Sequence, residues 1–210
     1  PAMPEAADLA PTDDQLMRAY AQGDAAAFDQ LYARHEAGLL RFVRRLLGPR
    51  WVAQADEVFQ DTWMRIIGAR VQYQAQGTRA ASWKTWAYTI AHHAAMDRLR
   101  VSGREVQLDL PDDGADAMDW LQATLDMAHP SSEDTAFWRA AGRQLLDCLE
   151  ALPVAQRAAF LLHHEDGATV EDLAQRLALP FEAVKSRLRY ALQKLRGCMQ
   201  AYLGGMEVRP

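Results

Sequence analysis

The chain has 210 residues, half of them apolar and about a quarter charged, with a formal net charge of −5. That length suits one or two domains with real cores, and the composition is that of an ordinary soluble globular protein. No apolar run approaches the roughly 18 residues needed to span a bilayer, and PAMPEAADLAPT lacks the charged start and apolar core of a signal peptide.

The charge is unevenly spread. Residues 1–100 carry 12 Lys/Arg against 11 Asp/Glu, and residues 137–210 carry 10 against 8. Residues 101–136 hold nine acids, with Arg104 as the only base. The acidity therefore belongs to one segment and leaves either flank free to meet nucleic acid. Cys148 and Cys198 lie far apart in helical contexts. They are expected to be reduced thiols rather than a disulfide framework.

Residues 1–12 read as a disordered leader. A short helix is predicted over Asp13 to Gln22. Phe28, Leu31, Tyr32, His35, Leu39, Phe42, Val43, Leu46 and Leu47 then keep helical spacing until Gly48-Pro49 ends the run. His35 falls within that stripe and reads as a core histidine. The next helix, near Gln54 to Arg70, turns Ala55, Val58, Phe59, Thr62, Trp63, Ile66 and Ile67 inward. Asp56, Glu57, Gln60, Asp61, Met64 and Arg65 are left outside. Such acids either complement the helix dipole or dock a basic partner surface.

A polar loop, VQYQAQGTRAAS, precedes the helix WKTWAYTIAHHAAMDRLR. Trp83, Trp86, Ala87, Ile90, Ala91 and Ala94 form its inner stripe. Lys84, Tyr88 and His92 share another face, near His93, Arg98 and Arg100. Aromatic rings interleaved with bases suit single-stranded nucleic acid, because bases stack on rings while Lys and Arg meet phosphates. Trp83 and Trp86 fit a plain core equally well. Residues 101–136, punctuated by Gly103, Pro111, Gly114 and Pro130, read as an acidic linker. It is either a tether or an extended segment for a basic channel.

Residues 137–200 form a second helical unit, followed by a tail over 201–210. Within it, TVEDLAQRLALPFEAVKSRLRYALQKLR reads as two helices joined by a tight turn. Thr169 caps the first, with Asp172 three residues on. Pro180 suits the first turn of the second. There Val184, Leu188, Ala191, Leu192 and Leu195 face inward, and Lys185, Ser186, Arg189, Tyr190 and Gln193 face outward. Arg187 and Lys194 flank them. A basic second helix of this kind is what a helix-turn-helix inserts into the major groove. No metalloprotease motif, glycine-rich phosphate loop or Cys-x-x-Cys occurs, and the adjacent His163 and His164 point about 100° apart on a helix. The expected protein is therefore not an enzyme and needs neither metal nor cofactor.

Taken in order, these parts resemble a bacterial RNA polymerase sigma factor of the extracytoplasmic-function (ECF) type within the sigma-70 family, which has region 2 and region 4 only. FDQLYARHEAGLLRFVRRLL, QADEVFQDTWMRI and SWKTWAYTIAHHAAMDRLR resemble region 2, and the stretch from Leu152 to Arg196 resembles region 4. The resemblance implies an all-α fold: a region 2 bundle over 13–100 and a region 4 helix-turn-helix over 137–200, joined by the acidic linker. It implies that Asp56, Glu57, Gln60, Asp61 and Arg65 dock on the clamp helices of the large polymerase subunit. Trp83, Lys84, Trp86, Tyr88, His92, His93, Asp97, Arg98 and Arg100 would line or support the surface that melts minus-10 DNA, with the loop from Tyr73 to Ser82 cradling a flipped base. Lys185, Ser186, Arg187, Arg189, Tyr190 and Lys194 would bind the minus-35 element. His92-His93 stands where the family commonly has Arg-Asn, Ala178 replaces a frequent turn glycine, and Tyr190 replaces a basic residue. The implied partners are core RNA polymerase, promoter DNA and an anti-sigma factor that could hold this cytoplasmic protein at the inner membrane. The competing readings are a sigma-like protein that sequesters an anti-sigma factor without initiating transcription, and a dimeric activator using region 4 alone.

Overall fold

The computed structural model describes residues 10–73, 82–101 and 135–206. Most of the leader, residues 74–81 of the polar loop, residues 102–134 of the linker and the last four residues lie outside the described residues. All regular structure among the described residues is helical, in accord with the all-α expectation.

The first four helices are α1 (Asp13–Ala21), α2 (Ala25–Leu47), α3 (Val52–Gly68) and α4 (Trp83–Val101), with a 3-10 turn over Pro49–Trp51. Thr12 and Gln15 close a capping box on α1, and the Asp24 carboxylate caps α2 through Ala26 and Ala27. The apolar stripe of α2 is buried as its spacing predicts, through Leu31, Leu39, Phe42, Val43, Leu46 and Leu47. Gly48 stops α2 at φ 80, where an L side chain is strained, and a Cβ there would come within 3.3 Å of Arg157. Against this stripe pack Val58, Trp63 and Ile66 of α3 and a long buried face of α4.

The second unit comprises α5 (Thr135–Glu150), α6 (Val154–Asp166), α7 (Val170–Arg176) and α8 (Phe181–Met206). Thr169 and Asp172 form the expected capping box at the start of α7, with both hydrogen bonds at 3.1 Å. Leu173 of α7 and Val184, Leu188, Ala191, Leu192 and Leu195 of α8 are buried. Ala178 takes the left-handed conformation at φ 52 in the connecting turn. A non-glycine residue there costs about 1–2 kcal/mol, so the tight turn forms at the expense of local strain.

The cysteines depart from expectation. Cys148 of α5 and Cys198 of α8 form a disulfide with Cα atoms 5.9 Å apart. Their separation of 50 residues hides the pairing in the sequence, but α5 packs along α8 and brings them together.

The two units also meet. Helix α6 packs against both α2 and α4. The Glu165 carboxylate pairs with Arg45 of α2, while its backbone carbonyl accepts a hydrogen bond from Lys84 Nζ at 2.7 Å. Lys84 thereby meets the negative end of the α6 dipole.

Candidate nucleic-acid interface

The candidate side chains form three groups, on α3, α4 and α8, that border one another: Arg65 pairs with Asp97 and Glu57 with Arg98, and Arg187 lies near His92. Asp56, Glu57, Gln60, Asp61 and Arg65 stand exposed along α3, beside the exposed Met64. Their charges are knitted into ion pairs: Asp56 with Arg44 at 3.1 Å, Glu57 with Arg98 at 3.0 Å, and Arg65 with Asp61 and Asp97 at 2.9 Å each. Arg100 joins through Asp97 at 3.3 Å. Exposed pairs of this kind contribute about 1 kcal/mol or less each, so a partner can exchange them at little cost. Glu57, Asp61 and Arg65 of α3 and Asp97 and Arg98 of α4 line one shallow depression together with Val58 and Ala94.

The second group lies on α4 and divides by burial. Trp83 is wholly buried, beside the His35 and Trp63 rings at 4.5 and 6.3 Å. His35 is itself held by Asp13 at 2.7 Å, as suits a core histidine. Tyr88 is buried too, which corrects its placement on an open face beside Lys84 and His92. Its ring packs 5.0 Å from Phe42, and its hydroxyl reaches Gly38 of α2, where a Cβ would sit 2.7 Å away. Glycine at 38 thus lets Tyr88 into the core. Helix α4 is covered from more than one side, so its sequence periodicity does not isolate a single open face.

Trp86 remains partly exposed, its ring against Tyr73 at 4.9 Å. His92 is mostly covered, and its Nδ1 has no hydrogen-bond partner among the described residues. Burial, with His93, Arg187 and Arg100 nearby, pushes its imidazole down to about 3 against a weaker opposing effect of Asp97. His93 is lowered as well, chiefly by burial. Both rings are therefore held toward the neutral form, and at His92 the form that remains at neutral pH can only exchange hydrogen bonds. Arg100 is open to solvent, and His93 is half-covered and more exposed than His92.

The third group lies on α8. Lys185 and Lys194 are exposed, and Ser186, Arg187 and Arg189 are partly so. Tyr190 is only 5% exposed, which corrects its assignment to the outer face. Helices α5, α6 and α7 all pack on α8 and cover more of its circumference than one apolar stripe. The Arg189 guanidinium lies over the Tyr190 ring at 5.2 Å and donates to its hydroxyl at 3.3 Å. Arg187 is half-buried near His92, and burial lowers its pKa. Among the described residues no group of three metal-ligating side chains converges, and His163 is occupied by the Ala168 carbonyl at 2.7 Å.

Residues 31–105 match the Sigma-70 region 2 family, and residues 142–195 match Sigma-70, region 4. The chain belongs to the ECF sigma factors of the sigma-70 family. Curated ECF relatives agree over most of its length. The ECF RNA polymerase sigma factor SigK of Mycobacterium ulcerans is 29% identical over 187 residues, covering 89% of this chain and 92% of the relative. SigK of Mycolicibacterium vanbaalenii is 28% identical over 188 residues, covering 89% and 88%. Two solved structures share the fold. CnrH in complex with the cytosolic domain of CnrY has a TM-score of 0.57 at 23% identity, covering 90% of this chain and 97% of that one. Bartonella quintana RpoE, in complex with the anti-sigma factor NepR, has a TM-score of 0.56 at 21% identity, covering 82% and 96%.

Sequence reasoning about this ECF sigma factor missed Asp14, Arg45 and Glu165. Asp14 of α1 accepts from the Tyr73 hydroxyl and, at 3.0 Å, from the Trp83 backbone N–H. No local pattern links residues 59 and 69 positions apart. The excess of acid in the first turn of α1 was the only signal, and it reads equally as a dipole complement.

Proposed function

We propose that this ECF sigma factor binds core RNA polymerase through α3, opens the minus-10 element with α4 and anchors on the minus-35 element with α8. The observation that carries the reading is the presence of two separate surfaces on one chain. The acid-Gln-acid face of α3 is exposed, and so are Lys185 and Lys194 on the second helix of a capped helix-turn-helix. A dimeric activator working through region 4 alone would leave the α3 face without a use. A sigma-like protein that only sequesters a regulator would have no need of the basic α8 face. Lys185, Ser186 and Arg189 would read base edges, with Arg187 and Lys194 on flanking phosphates.

The neighbour solved with the anti-sigma factor NepR supports an anti-sigma partner for this chain as well. No described helix is long and apolar enough to cross a membrane. The protein would act in the bacterial cytoplasm and reach the inner membrane only through such a partner.

Paired variants separate the two surfaces. Reversing Asp56 and Glu57 to Lys is expected to weaken core-polymerase binding at least tenfold in a pull-down titration. Replacing Lys185 and Arg189 with Ala is expected to leave that titration unchanged while reducing holoenzyme binding to minus-35 duplex about a hundredfold, at roughly 1–3 kcal/mol per base contact. Equal losses of core binding in both variants would contradict the assignment.

A further inference from the structure

We propose that Asp14 and Tyr73 are positioning residues that hold the Trp86 indole in place for base stacking. The inference rests on the melting role proposed above for α4. Three aromatic residues were assigned to that surface. Trp83 and Tyr88 are enclosed in the core at 0% and 4% exposure, and Trp86 is the one that stays partly exposed. An unpaired base gains most from a ring whose plane is already fixed, because ordering the ring on binding costs conformational entropy.

The structure fixes the backbone of Trp86 in α4 and orients its ring through one neighbour. Its backbone N–H donates to the Ser82 carbonyl at 3.0 Å, in the first turn of α4. Its ring meets Tyr73 at 4.9 Å and 61°, an edge-on arrangement that favours one orientation. Tyr73 is held in turn by its hydroxyl, which donates to Asp14 Oδ1. The same oxygen accepts the Trp83 N–H at 3.0 Å. One carboxylate therefore ties Tyr73 to the start of α4, with its charge near the positive end of that helix. Asp14 is itself anchored, since Leu16 and Met17 on the next turn of α1 are buried. Burial, then Asp14, pushes the Tyr73 hydroxyl well above its usual range, so it stays a neutral donor at physiological pH.

The test uses the full chain bound to core polymerase and a forked duplex whose single-stranded non-template segment carries randomised minus-10 bases. Binding is read by fluorescence anisotropy. Tyr73→Phe keeps the ring and loses its tether, and Asp14→Ala removes both hydrogen bonds. Each is expected to weaken binding on the order of fivefold, with core binding unchanged. Asp14→Asn keeps the accepting oxygen and is expected to restore most of the affinity. In a Trp86→Ala background, Tyr73→Phe is expected to add nothing, because both act through one ring. Fluorotryptophan labelling of the free chain supplies a second reading. The Trp86 fluorine resonance should shift in Tyr73→Phe and in Asp14→Ala.

Losses that add in full to that of Trp86→Ala would overturn the proposal, as would an unmoved Trp86 resonance in both variants. Normal wild-type binding with unaffected Tyr73→Phe and Asp14→Ala overturns this proposal alone. Failure of the wild-type holoenzyme to bind the fork overturns it together with the melting role.

Discussion

Trp83→Ala is expected to destabilise the protein by about 3–5 kcal/mol, the range for truncating a large buried aromatic. Trp83 has no exposed surface and lies against His35 and Trp63. It also opens α4, with its backbone N–H bonded to Asp14. Truncation would leave a cavity where α1, α2 and α3 meet α4. Urea unfolding followed by helix content measures the effect. Trp83→Phe is expected to cost less, because it keeps most of the volume and removes an indole N–H that has no acceptor among the described residues. A loss under about 1 kcal/mol for Trp83→Ala would show that the indole is not enclosed as described. With the expected loss, a promoter defect in that variant reflects a lost core residue rather than a lost DNA contact.

Cys148→Ser is expected to have an effect of similar size for a different reason. The Cys148–Cys198 crosslink closes a loop of 50 residues that spans nearly the whole of region 4. Restricting the unfolded chain to that loop stabilises the folded form by about 4 kcal/mol in the chain-entropy account. The oxidised wild type should therefore unfold at clearly higher denaturant than Cys148→Ser. Adding reductant should bring the wild type down to the variant and leave the variant where it was. A wild type indifferent to reductant would contradict the pairing.

Much of this fold is legible in the sequence because helices bury one face at a time. The stripe from Leu31 to Leu47 and the set Val184, Leu188, Ala191, Leu192 and Leu195 are both buried. The Thr169–Asp172 cap is equally local, since both partners lie within one turn. Helix ends drift by two residues at α3, which begins at Val52 rather than Gln54.

The misplaced side chains share one cause. Tyr88 and Tyr190 sit on faces that look open from the periodicity of their own helix. Each is covered because its helix packs against several others, and a single sequence does not reveal how many neighbours a helix has. The Cys148–Cys198 bond and the Asp14 contacts to Tyr73 and Trp83 join segments at least 50 residues apart, beyond the reach of any local pattern. The polar candidate residues Asp56, Glu57, Gln60, Asp61, Arg65, Lys185 and Lys194 were legible as exposed positions, because a polar side chain opposite an apolar stripe points outward. What the sequence leaves out is their pairing, such as Glu57 with Arg98, which links the proposed polymerase and DNA surfaces across one depression.

Promoter-dependent initiation is the central claim, and run-off transcription tests it most directly. Purified bacterial core polymerase, a genomic promoter library and the full chain are combined, and transcript starts are mapped. Transcripts from a small set of discrete starts that appear only when the chain is present are the expected result. Their absence, with the chain demonstrably bound to core polymerase or to an anti-sigma partner, would contradict it.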